Sequence, residues 1–160
     1  MARFRVETEL LASANVCFEL SLSVDAHIAS MKASGERAVA GVTGGTMTLG
    51  DTVTWHARHL GVPFRMTSAI TAYEHPTRFV DEQLRGPFRR WWHEHTFIAQ
   101  EHARTLMIDV VDYDAPLGPV GAVVDRAFLG RYMRHLIGSR NSWLKYTLEA
   151  AEDPGRTPEA

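Results

Sequence analysis

Two histidines separated by one residue, His93 and His95, sit in the run Arg90-Trp91-Trp92-His93-Glu94-His95-Thr96-Phe97. Alternate residues of a strand share a face, so an extended backbone sends both imidazoles the same way, together with Trp91 and Phe97. A second run, from Met107 to Tyr113, puts Met107, Asp109, Val111 and Tyr113 on one face by the same parity. If residues 101–103 form a three-residue tip, Gln100 pairs with Arg104, His95 lies opposite Asp109, and Trp91 opposite Tyr113. A similar turn at Gly86-Pro87-Phe88 sets His93 opposite Asp81. Cross-strand neighbours on one face have Cβ atoms about 4.5–5.5 Å apart, within side-chain contact. This register predicts a polar cluster of Asp81, Gln83, His93, His95, Asp109 and Tyr113, and one residue more or less in either loop would turn the set to the other face.

A carboxylate beside an imidazole fixes its tautomer and raises its basicity, which prepares a general acid or base. His93, His95, Asp109, Asp81 and Tyr113 are therefore the candidate catalytic residues, with Tyr113 also able to donate to a ligand carbonyl. The competing reading is a buried hydrogen-bond network whose members only satisfy one another, or a polar face turned to solvent. His93-x-His95 also has metal-ligand spacing, with His59, Asp81 or Asp109 as a third donor. Such pairs arise by chance in a chain with eight histidines, and no metal or other cofactor is expected.

The elements that must position these residues follow from periodicity. Phe4, Val6, Thr8 and Leu10 alternate with Arg5, Glu7 and Glu9, the period of a half-buried strand. Ser13 is placed to cap a short helix carrying Val16, Cys17 and Leu20, and a second short helix spans Val24 to Met31, with Ser23 or Asp25 near its start. From Glu36 to Tyr113 turn signals separate five or six strands without intervening helices, which predicts an antiparallel meander. The clearest alternation sets Val53, Trp55, Ala57 and His59 against Thr54, His56 and Arg58. Beyond Pro116 and Pro119 the period changes to that of a long helix, with Val120, Val124, Ala127, Phe128, Leu136, Ile137, Trp143 and Leu144 on a drifting apolar stripe. Gly130 and Gly138 weaken that helix locally. Residues 1–150 read as a single α+β domain and 151–160 as a disordered tail.

Bulk properties exclude several classes. A hydrophobic fraction of 45% with 22% charged residues is ordinary globular usage, which argues against disorder. The net charge of -2 removes the basic surface that nucleic-acid binding requires, and Arg89-Arg90-Trp91-Trp92 is too short to supply one. The glycines at Gly41, Gly44, Gly45 and Gly50 lack a following Gly-Lys-Ser/Thr and read as turns, not as a phosphate loop. A single cysteine, Cys17, forbids an intrachain disulfide; with no signal peptide and no apolar run of about 20 residues, a cytoplasmic location without a membrane span is expected.

The layout resembles the START/Bet v 1-like helix-grip superfamily (SRPBCC), and within it the polyketide cyclase/dehydrase-like or cell-division-inhibitor-like subgroup. The stretches that carry the resemblance are Leu49-Gly50-Asp51-Thr52-Val53-Thr54-Trp55, Phe79-Val80-Asp81-Glu82-Gln83, residues 86–97, residues 105–113 and Pro116-Leu117-Gly118-Pro119-Val120-Gly121. They run through nearly the whole chain apart from its tail. The resemblance implies a curved antiparallel sheet wrapped around the C-terminal helix, with a cavity between them faced by the His93/His95 parity. Trp55, His59, Met66, Ile70, Phe79, Asp81, Gln83, Trp91, His93, His95, Phe97, Asp109, Tyr113 and Phe128 would then line it. Since the superfamily mixes carriers, sensors and enzymes, three functions stay open: binding of a hydrophobic or aromatic small molecule, a cyclase or dehydratase with a His/Asp acid-base pair, and a protein-interaction module. The last draws on the opposite parity, where Trp92, Ile98, Leu106, Ile108 and Val110 predict an apolar outer patch suited to a homodimer.

Overall fold

The computed structural model describes residues 1–59, 61–115 and 128–152. The chain runs β1 (Ala2–Leu10), α1 (Ala14–Leu22), α2 (Val24–Ser30), a 3-10 turn (Lys32–Ser34), β2 (Arg37–Gly41), β3 (Thr52–His59), β4 (Val62–Glu74), β5 (Arg78–Arg85), β6 (Arg90–Gln100), β7 (Arg104–Asp114) and a long helix, α3 (Gly130–Glu152). All seven strands form one antiparallel sheet in the order β1-β7-β6-β5-β4-β3-β2. The strands from β2 to β7 are a simple meander, and β1 closes the sheet by pairing with the last strand. Bulges between Ala38 and Ala40, Thr67 and Ser68, and Ile70 and Ala72 mark where β2 and β4 bend.

The helices form where the sequence places them, with two differences of detail. Ser13 holds the N-cap position of α1 but its side chain makes no cap bond, whereas the Ser23 hydroxyl accepts from Ala26 N at 3.1 Å and caps α2. The long helix continues through Glu152, past the expected end of the domain at residue 150. The predicted approach at Pro116 and Pro119, the stripe positions Val120, Val124 and Ala127, and residues 153–160 lie outside the described residues.

Most of the apolar core lies between the concave face and the helices. Phe18 of α1 is fully buried and meets Tyr73, Phe79 and Phe97 edge-on, with ring centroids 5.2–5.5 Å apart. A second cluster gathers Phe4, Phe88, Trp91, Val111, Tyr113 and Ile137 near the β1–β7 edge. The buried stripe of α3 reads Ile137, Arg140, Asn141, Leu144, Leu148, helical spacing interrupted by two polar residues. Those two residues face the candidate site.

On the outer face the expected apolar group is interleaved with charge. Ile108 sits between Glu7 and Thr96, Leu106 between Glu9 and Ile98, and Val110 between Arg5 and Glu94. Ile98 is exposed, while Ile108 is buried by its neighbours. Among the described residues, no helix is long and apolar enough to cross a membrane.

We predict that Phe18→Ala costs about 3–5 kcal/mol of unfolding free energy, because it empties a site enclosed by three other aromatic rings. Leu84→Ala, at a side chain 56% exposed, should change stability by about 0.5 kcal/mol or less. Urea unfolding of the two variants checks this, and equal losses would show that α1 does not hold the core.

Candidate functional site

The β6–β7 hairpin sets the site. Gln100 pairs with Arg104 across a three-residue tip, so His95 lies opposite Asp109 and Trp91 opposite Tyr113. On the other side of β6, Asp81 pairs with His93. His102 and Ala103 take φ of 60° and 53° to close the tip, a left-handed bend without glycine. The predicted register is the one the strands adopt.

The side chains close a ring of four groups in which each imidazole meets both carboxylates. His93 Nε2 lies 2.9 Å from Asp109 Oδ1, and His93 Nδ1 lies 3.5 Å from Asp81 Oδ2. His95 Nε2 lies 3.3 Å from Asp81 Oδ2, and His95 Nδ1 lies 2.8 Å from Asp109 Oδ1. Hydrogen bonds run along the diagonals, His93 to Asp109 and His95 to Asp81, rather than straight across the strands. The short His95 Nδ1 contact is off the hydrogen-bond line and acts as an ion pair. The two imidazoles overlap with centroids 3.9 Å apart, and Phe79 stacks on His95 at 4.2 Å.

Helix α3 completes the ring from above. Asn141 Nδ2 donates to Asp109 Oδ2 at 2.6 Å and contacts Thr8 Oγ1 of β1 at 3.1 Å. Arg140 donates to Ser21 O at 3.0 Å through Nη2, while its buried Nη1 has no acceptor among the described residues.

Burial disfavours every charge here, and the partners decide which charges survive. Burial would raise the Asp109 pKa, but the hydrogen bond from His93 and the charge of His95 hold it well below the ordinary carboxylate range. Asp81 is likewise held low against burial by the His95 hydrogen bond and the charge of His93. Burial and the neighbouring His95 push His93 below the ordinary imidazole range. Burial opposes charge on His95 too, yet the Asp109 carboxylate outweighs it and raises its pKa. His95 is thus the preferred seat of a proton and His93 the preferred neutral imidazole. With the Arg140 guanidinium, the two carboxylates and one imidazolium balance.

The ring forms one wall of a cavity of about 120 Å³ between the sheet, α1–α2 and α3. Trp55, His59, Met66, Ile70, Phe79 and Trp91 line it together with Asp81, His93 and His95. Five sequence-predicted contacts are absent from this lining. Gln83 turns away to brace the β5–β6 turn, donating to Phe88 O at 2.7 Å and accepting from Phe88 N at 3.3 Å. Phe97 is consumed by the Phe18 cluster, and Tyr113 is buried against Phe4, Phe88 and Trp91. Asp109 stands behind the histidines with no exposed surface. Phe128 is 48% exposed and stacks on Tyr132 at 6.0 Å. His59 Nδ1 meets Tyr132 Oη at 2.9 Å, and burial holds its pKa low.

Arg140, Asn141 and Thr8 were not legible as site residues from spacing alone. The one available signal was that Arg140 and Asn141 fall between Ile137 and Leu144 on the stripe that must face the sheet. The half-buried His27 and buried Glu36, 3.2 Å apart, add a second polar point on the cavity wall that the sequence does not signal.

No family model and no curated protein matches the chain. Solved structures do. A Thermus thermophilus protein superposes with a TM-score of 0.77 at 16% identity, covering 95% of this chain and 100% of that one. The ZhuI aromatase/cyclase of a Streptomyces species gives a TM-score of 0.77 at 12% identity, covering 98% and 99%. A START superfamily protein from Mycobacterium smegmatis gives 0.69 at 15% identity, covering 93% and 98%. The chain has the START/Bet v 1-like helix-grip fold. At these identities the likeness is one of fold.

We predict that Asp109→Asn shifts the His95 titration downward, since it removes the charge that favours the imidazolium while burial remains. It should also cost about 3–5 kcal/mol, the range for breaking a buried ion pair. Asp112→Asn, opposite Trp92 on the outer face, should leave His95 unmoved. NMR titration of the imidazole signals compares them, and equal shifts in both variants would refute the ring.

Proposed function

We propose that the protein binds a small aromatic or hydrophobic molecule in the cavity, with an acceptor oxygen of the ligand at Arg140. The observation that carries this is an apolar chamber with Arg140 in its wall, whose buried guanidinium Nη1 has no protein acceptor among the described residues. An unmet charged donor is costly in a dry site, and a carbonyl, phenolate or carboxylate oxygen would satisfy it. Trp55, Met66, Ile70, Phe79 and Trp91 supply the apolar walls. A volume of about 120 Å³ suits roughly one aromatic ring.

Acid-base chemistry on such a ligand is a second reading, supported by one specific feature. Two imidazoles 3.9 Å apart are shifted in opposite directions, His93 toward the neutral base and His95 toward the protonated acid. The likeness in fold to an aromatase/cyclase is compatible with that chemistry.

The test is direct calorimetric titration with benzoate and, separately, with benzene, each of one ring. We expect saturable binding at one site, with benzoate binding more tightly than benzene. Arg140→Met should erase that preference, weakening benzoate by about 10- to 100-fold, the value of one hydrogen bond to a charged group. Absence of saturable binding, or an unchanged preference in the variant, would defeat the proposal.

A further inference from the structure

We propose that Asp81, His93 and His95 form a binding site for a divalent transition-metal ion, Zn²⁺ in the first instance, with its open coordination position toward the cavity. The inference rests on donor spacing and not on the apolar chamber, so it stands apart from the ligand reading. One ligand atom from each of the three residues lies within 4.8 Å of the others. Asp81 Oδ2 is 3.5 Å from His93 Nδ1 and 3.3 Å from His95 Nε2. Zinc–nitrogen and zinc–oxygen bonds of about 2.0–2.2 Å in a tetrahedron set neighbouring ligand atoms about 3.3–3.6 Å apart. The two edges from Asp81 already match such a tetrahedron, and the third lies within 4.8 Å.

The outer contacts fit a metal site as well. A metal-bound histidine uses one ring nitrogen for the metal and commonly donates its other N–H to a carboxylate. Here His93 Nε2 hydrogen-bonds Asp109 Oδ1 at 2.9 Å, and His95 Nδ1 faces the same oxygen at 2.8 Å. Asp109 is fully buried and is itself held by Asn141 at 2.6 Å. A neutral imidazole has one N–H. A metal ion would take the place of the proton through which His95 Nε2 hydrogen-bonds Asp81; with the remaining ring protons directed at Asp109, His93 Nδ1 and His95 Nε2 would turn lone pairs toward Asp81 Oδ2. Three electron-rich atoms then converge where only a cation relieves them. All three residues line the cavity, which gives the ion a route in and leaves the fourth position for water or a ligand oxygen.

The full chain, stripped with a chelator, would be titrated with Zn²⁺ alone by calorimetry and with Co²⁺ by visible absorption. We expect one ion per chain, tetrahedral Co²⁺ bands displaced by Zn²⁺, and a rise in Tm with Zn²⁺. Asn141→Ala, which frees Asp109, should weaken Zn²⁺ about 10- to 100-fold. Asp81→Asn, isosteric and at the least buried of the three ligands, should weaken it at least as much and abolish the Tm rise. His75→Gln, a surface histidine paired with Glu19, should bind as the parent does. No one-to-one binding of either ion, or binding that Asp81→Asn leaves unchanged, would overturn the site. Both outcomes are read without an organic ligand, so neither bears on the benzoate result.

Discussion

A carboxylate with no exposed surface, Asp109, is the point on which this structure turns. Removing an ionised carboxylate from water costs several kcal/mol unless its oxygens are met by charged or hydrogen-bonding partners. Asp109 meets His93 and His95 from β6 and Asn141 from α3, so satisfying one side chain ties the central hairpin to the helix. Thr8 joins the network through Asn141 and brings in β1. The apolar contacts of α3, from Ile137 to Leu148, supply burial but little choice of register. The polar contacts specify how the helix lies on the sheet.

The same constraint shapes the chemistry. Two imidazoles with two shared carboxylates cannot have equivalent proton affinities once one of them is charged. The low-dielectric surroundings enlarge the difference, and His93 and His95 separate into a neutral and a protonated partner. Acid should therefore destabilise the fold through Asp81 and Asp109, whose lowered pKa values contribute stability that is present above the ordinary carboxylate range and lost as pH falls through their folded values. His93 acts in the same direction from about pH 6.5 downward, because the unfolded chain takes up the proton more readily. His95 acts the other way, giving stability below about pH 6.5 that fades as pH rises through its raised value. Opposed slopes of this kind hold the ring together over the neutral range.

A helix-grip chamber with a charged wall differs from a plain apolar pocket. An apolar chamber selects by size, whereas buried polar groups select by what they leave unpaired. Arg140 Nη1 and the Asp81–His93–His95 face present one donor and one converging set of acceptors within the same small volume. That pairing is why ligand binding, proton transfer and metal binding can all be asked of the same few residues.

Much of this was determined by sequence alone. The alternation in β6 and β7, with a three-residue tip, placed His95 against Asp109 and Trp91 against Tyr113 because side-chain direction in a strand has a strict period of two. The α+β order of elements followed from the change of period after the meander. Tertiary structure decided the rest. Whether a face-sharing residue reaches the cavity depends on what packs over it, so Gln83 was drawn into a turn, Phe97 and Tyr113 into core clusters, and Asp109 behind the histidines. Hydrogen bonds ran diagonally because an imidazole reaches two cross-strand partners and takes the better line. Arg140 and Asn141 lie far along the chain from the residues they serve, and only the docking of α3 brings them to the ring. Strand periodicity is local and could be read directly, but burial and long-range polar pairing are properties of the packed whole.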